Sequence, residues 1–225
     1  MARTQEQDRV LVLLQGLDSV DKLKTLFQRE LNYERANQPI STRDWDAAAH
    51  DPLADDDDPL IFAAQEPDGD FHLIYIRLDS DRLPLTAERL VIERLLRDHD
   101  RALFVFSNRQ QNRWHFVNVK VRGKQRPVLR RITVEPGDSQ RTACERITML
   151  DLAPLTGGRL VGLAAAAIQQ KHDEAFDVER VTRKFFEQYR AVVAQSCVAQ
   201  VGQGKGLLVG SGARFARSWL TTPKD

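Results

Sequence analysis

Cysteine is scarce in this chain: Cys144 and Cys197 are the only two among 225 residues. They lie far apart and match no ligand spacing, which argues against a disulfide framework or a cysteine zinc site and for a reducing compartment. Long apolar runs are missing too. None approaches the roughly 18 to 20 residues that a membrane span requires. The opening residues, MARTQEQDRV, lack the apolar stretch of a secretory leader. These absences together predict a cytoplasmic protein with no membrane partner. No G-x-S-x-G surrounds a serine, no G-x-x-x-x-G-K-[ST] is present, and the five histidines show no paired metal-ligand spacing. His72, His99 and His115 read as scattered, and His50 and His172 as loop residues.

Hydrophobic residues make up 42% and charged residues 29%, an ordinary globular balance that supports a sizeable core. The formal net charge is only +1, but the signs are segregated. From Asp44 to Asp58 there are seven aspartates and no lysine or arginine. From Arg101 to Val134 no acidic residue occurs, against nine basic ones. Eight of these are candidate phosphate contacts: Arg109, Arg113, Lys120, Arg122, Lys124, Arg126, Arg130 and Arg131. Cations on a sheet face release counterions when they meet a polynucleotide, so DNA is the predicted partner. Trp114 and Phe116 on the same face could stack on unpaired bases. The competing reading packs these aromatics under a helix, with the basic residues only rimming it or pairing with the aspartate run.

Apolar spacing predicts one or two helices over residues 6–31, the second capped by Asp18 or Ser19. Residues 32–58 show no clear period and read as a long loop anchored by Trp45. Leu60–Ala64 and Phe71–Leu78 read as a hairpin around Pro67, Asp68, Gly69 and Asp70. Residues 85–98 take a helical period, with Glu88, Arg89, Glu93 and Arg97 outward. Ala102–Phe106, apolar at every position, reads as a central strand covered on both faces. Arg113–Arg122 alternates and turns through Gly123 into a strand at Val128–Val134, and a helix carries Ala143, Ile147 and Leu150. Residues 151–162 read as a loop, and Asp177 as the cap of a last, heptad-like helix with Val178, Val181, Phe185, Tyr189 and Val192. Five glycines between Gly202 and Gly212 read as a flexible tail, without the preceding strand that a cofactor loop needs.

A metal-dependent nuclease of the restriction type needs an aspartate and a nearby acid-x-lysine on adjacent strands, to hold Mg²⁺ and polarise attack on phosphorus. Asp68 and Asp70 stand at a suitable turn. The strand that follows, HLIYIR, has neither acid nor lysine. Both aspartates therefore read as turn residues.

The phrases ALFVFSN (102–108), WHFVNVK (114–120), RRITVEPGDSQRTACERITMLDL (130–152) and HDEAFDVERVTRKFFEQYR (172–190) carry a family likeness over residues 20 to 193. Together they resemble the N-terminal nuclease-like region of type IIG-like single-chain restriction–modification proteins, which is fused to an adenine-specific DNA methyltransferase. The resemblance implies a restriction-endonuclease-like fold, DNA, and a methyltransferase domain or subunit as partner. S-adenosylmethionine and Mg²⁺ are implied only for the full-length family, and this chain calls for no cofactor of its own. The Asn-Pro-Pro-aromatic motif of such methyltransferases is absent here, so the expectation is a truncated or frame-disrupted member acting by binding without chemistry. The expected architecture is α+β: a mixed sheet of about five strands with packed helices and a helical C-terminal arm. Residues 1–150 would form the nuclease-like, DNA-associated domain, 151–195 a loop and helical connector, and 196–225 the tail. A module docking a methyltransferase partner, and a nuclease with atypical ligands, are the alternatives.

Overall fold

The computed structural model describes residues 5–54, 57–65, 70–120, 127–156 and 163–177. The chain divides into two units, Met1–Asp177 and Val178–Asp225, and every described residue belongs to the first. The heptad-like helix, the helical arm and the Gly-rich tail lie outside the described residues, as do Arg122, Lys124 and Arg126.

Six strands form one mixed sheet in sequence order: β1 (Glu34–Pro39), β2 (Leu60–Ala64), β3 (His72–Arg77), β4 (Ala102–Ser107), β5 (Trp114–Lys120) and β6 (Val128–Val134). All neighbours are antiparallel except β3 and β4. A parallel pair needs a crossover, and α4 (Leu85–Leu95) supplies it. The fold is thus α+β with a mixed sheet, as expected, and with one strand more. That strand is β1, within the segment read as a loop. Its sequence, ERANQP, has no apolar alternation, and four of its six residues are exposed.

Period-two alternation sorts the strand residues into two cores. Leu73, Tyr75, Leu103, Val105, Trp114, Phe116, Ile132 and Val134 face one way. There they meet α1 (Gln5–Gln15), α2 (Val20–Thr25) with the π-helical turn Leu26–Glu30 that continues it, α5 (Arg141–Thr148) and α7 (Ala165–Ala175). Ile74, Ile76, Phe104, Phe106, Val117 and Val119 face the other way, against Val91, Ile92 and Leu95 of α4. All six residues of β4 are buried, which is why its sequence is apolar throughout.

Local chemistry fits these elements. On α1, Val10, Leu14 and, just beyond its end, Leu17 are buried at helical spacing. Ser19 precedes α2 in extended conformation, though its side chain makes no capping bond. Asn32 has φ of 60°, a left-handed conformation that asparagine tolerates, and donates to Asp151 Oδ1 at 2.6 Å. Trp45 does anchor its loop. It packs against the α4 core, with the Arg94 guanidinium 5.4 Å from its ring centre. Two short helices were not foreseen, α3 (Ala47–His50) and α6 (Ala153–Thr156).

His50 and His172 both stand on helices, not in loops. Helix α7 contributes Ala165, Ile168 and Ala175 to the first core, followed by Phe176. Of the segment read as a connector beginning at 151, the described residues Leu152, Ala165, Ile168, Ala175 and Phe176 pack into the first core. A run of alanines and glutamines gave α7 no stripe wide enough to be read from spacing.

Candidate nucleic-acid interface

The acid-free span folds as β4, β5 and the edge strand β6, so its cations are distributed by the pleat. Register pairs Asn118 with Arg130 and Lys120 with Val128, which sets Lys120 and Arg130 on the α7 face. Val117 pairs with Arg131, which sets Arg131 on the α4 face. Arg109 and Arg113 lie near the opposite end of β5, in the β4–β5 connection. The five described candidates do not form one plane. Adjacent arginines on a strand cannot share a face.

Each described candidate meets a carboxylate, and the distances fall into two groups. Arg109 reaches Asp79 at 2.5 Å, Arg113 reaches Glu135 at 2.6 Å, and Arg131 reaches Glu88 at 2.7 Å. Lys120 stands 3.6 Å from Asp173, and Arg130 3.3 Å from Asp177. Asp173 also accepts from Asn118 Nδ2 at 2.7 Å. In the aspartate-rich stretch, Asp57 pairs with Arg77 at 2.8 Å.

Trp114 and Phe116 are fully buried, which overturns their reading as stacking platforms. The Trp114 indole N–H is shared between the carbonyls of Leu17 and Gln111, each at 3.0 Å. Phe116 lies 6.1 Å from Phe27, centre to centre. Stacking one base returns about 1–3 kcal/mol, whereas emptying such a core position costs about 3–5 kcal/mol. The aromatics stay inside.

Four polar residues matter that the sequence reading placed elsewhere or passed over. Glu88 is completely buried, not outward. Its carboxylate accepts from Arg131 Nε and, through a short hydrogen bond, meets His115 Nδ1. The signal was present: Glu88, Val91, Ile92 and Leu95 share the i, i+3, i+4, i+7 stripe that faces the core. His172 is also completely buried; its Nε2 lies 2.7 Å from the Tyr33 hydroxyl, which donates to the Leu150 carbonyl at 3.1 Å. Burial, with Lys171 beside it, depresses the His172 imidazole to about 3. Asp173 and Arg146, on α7 and α5, complete the set.

His72 and His99 meet edge to face with ring centres 5.2 Å apart. Burial lowers the affinity of both for protons. Among the described residues no three His, Cys, Asp or Glu side chains gather as a metal-binding cluster, and no helix is long and apolar enough to cross a membrane. No family model matches the chain, and no curated protein or solved structure matches it either.

Proposed function

We propose that this chain is a DNA-associated accessory domain of a restriction–modification system, acting by binding and placed beside an adenine-specific methyltransferase. On this reading the six-stranded sheet is a restriction-endonuclease-like variant, and a helical arm after Asp177 leads toward the catalytic partner. One observation supports DNA contact above the others: the two loosely paired cations, Lys120 and Arg130, share a face at one end of the β5–β6 pair. The link between those strands adds Arg122, Lys124 and Arg126 in sequence. Lys120 and Arg130 answer to Asp173 and Asp177 at distances longer than those of the other three pairs. The tightly paired Arg109, Arg113 and Arg131 then serve the fold, and the DNA contact narrows from eight residues to five.

Fluorescence anisotropy with a duplex oligonucleotide at rising salt tests this. Each phosphate neutralised contributes about 0.9 to the slope of log affinity against log salt, so two to five contacts give a slope of about −2 to −4.5. Replacing Arg122, Lys124 and Arg126 together by glutamine should remove most of it. A flat salt series for the intact protein rejects DNA contact. The system itself is tested by the neighbouring reading frame: a methyltransferase that co-purifies with this chain supports the assignment, and unrelated neighbours count against it.

A further inference from the structure

An open cleft of about 270 Å³ lies where β6 meets the start of α5, lined in part by Arg131, Asp138, Ser139, Gln140, Thr142 and Arg146. Three of its features favour an anion. The first-turn amides of α5, at Arg141, Thr142 and Ala143, have no carbonyl four residues back within the helix. Nothing caps them from Gln140, whose side chain donates instead to the Glu135 carbonyl at 2.7 Å.

Second, the Ser139 and Thr142 side chains stand at the rim and can donate hydroxyl protons.

The third feature is Arg146, only 8% exposed. Its Nε donates to the Ala175 carbonyl at 3.0 Å and its Nη1 to the Arg131 carbonyl at 3.3 Å. Its Nη2 is buried and has no hydrogen-bond partner. A buried guanidinium normally carries a carboxylate; this one has two carbonyls and the Phe176 ring, 5.5 Å away. Burial and the nearby Arg130 both act against its charge. Arg146 lines the cleft together with Thr142, one turn earlier on α5. Asp138, at the same cleft, is the one group there that opposes an anion; Arg131 is committed to Glu88.

We infer that this cleft is a phosphate-binding site, in which first-turn amides of α5, the Ser139 and Thr142 hydroxyls and the free edge of Arg146 hold one phosphate group. The phosphate could belong to a nucleic-acid backbone or be free in solution, and the chemistry of capture is the same. The site does not depend on the β5–β6 contact proposed above, because none of its groups belongs to that set of five.

Calorimetric titration of the full chain with inorganic phosphate, at ionic strength held constant with chloride, tests the site. Thr142→Glu is the deciding variant. A carboxylate in the first turn of a helix is compatible with the fold, yet it places negative charge where the phosphate would sit. Binding by the parent protein, weakened at least about tenfold in Thr142→Glu with unchanged thermal stability, supports the inference. Ser139→Ala, at an exposed position, should weaken it less.

No phosphate binding by the parent chain, or equal binding by parent and Thr142→Glu, overturns it. A duplex oligonucleotide run alongside identifies the source: loss of phosphate and duplex affinity together means a backbone phosphate, and loss of phosphate affinity alone means a free one. A flat duplex salt series with intact phosphate binding would remove the β5–β6 reading and leave this site standing.

Discussion

Two polar clusters, one on each face of the sheet, are buried by opposite means. Against α1, α5 and α7, the buried pair is Tyr33 and His172, uncharged groups that share a hydrogen bond of 2.7 Å and are surrounded by rings such as Phe71. Against α4, the buried group is Glu88, held between Arg131 and His115. A neutral pair tolerates loss of a partner when its remaining groups are still bonded. A buried ion does not, because the survivor keeps a charge it can neither solvate nor pair. Of these two clusters, the one around Glu88 should tolerate loss of a partner less.

The largest expected effect breaks the charged side. Arg131→Met removes the guanidinium and leaves Glu88 with His115 alone, and should cost about 3 kcal/mol or more in a denaturant titration. Adding Glu88→Met in the same chain should recover much of that loss, since an apolar replacement of a whole buried pair is often neutral or stabilising. A double variant no more stable than Arg131→Met would count against a charge-based account of this core.

The neutral side is sharpened by acid. The folded His172 takes a proton only near pH 3, while an unfolded histidine takes one near its ordinary value of about 6.5. Between these values the unfolded chain binds the extra proton. The His172 contribution is therefore complete above about pH 6.5 and is lost as pH falls toward 3, with a slope of up to about 1.4 kcal/mol per pH unit. His72 and His99, also lowered, act with the same sign. His172→Phe keeps the Tyr33 bond to Leu150 and should flatten the acid limb in a pH series of thermal melts. An unchanged limb would show that His172 is not the titrating group.

The smallest effect belongs to neither face. Arg113→Gln loses a half-exposed pair with Glu135, worth less than about 1 kcal/mol. A melting temperature close to the parent's is the expected result, and a loss as large as that of Arg131→Met would erase the contrast between exposed and buried charge.

Much of the sheet was legible beforehand because burial writes itself into side-chain period. The unbroken apolar run of β4, the alternation of β5 and the limits of β6 all follow from how many faces each strand has covered. β1 escaped because an exposed edge strand carries no such mark, and α7 because its buried stripe is interrupted by glutamine and histidine. The candidate site was less legible for a different reason. A run without acids shows where cations occur, but their partners Glu88, Asp173 and Asp177 come from other helices or follow them, 43 to 53 positions away. Charge segregation along a chain does not survive folding into charge segregation in space.

Strand order equal to chain order has a kinetic meaning. Every ladder joins segments adjacent along the backbone, and even the parallel pair is bridged by a single helix. Ring closure for the sheet is therefore inexpensive in entropy, and such low contact order favours rapid assembly. The distant closures are instead those that tie the ends, Tyr33 to His172 and α1 to α5. Those closures, Tyr33 to His172 above all, span the longest stretches of chain and carry the larger loop-closure cost.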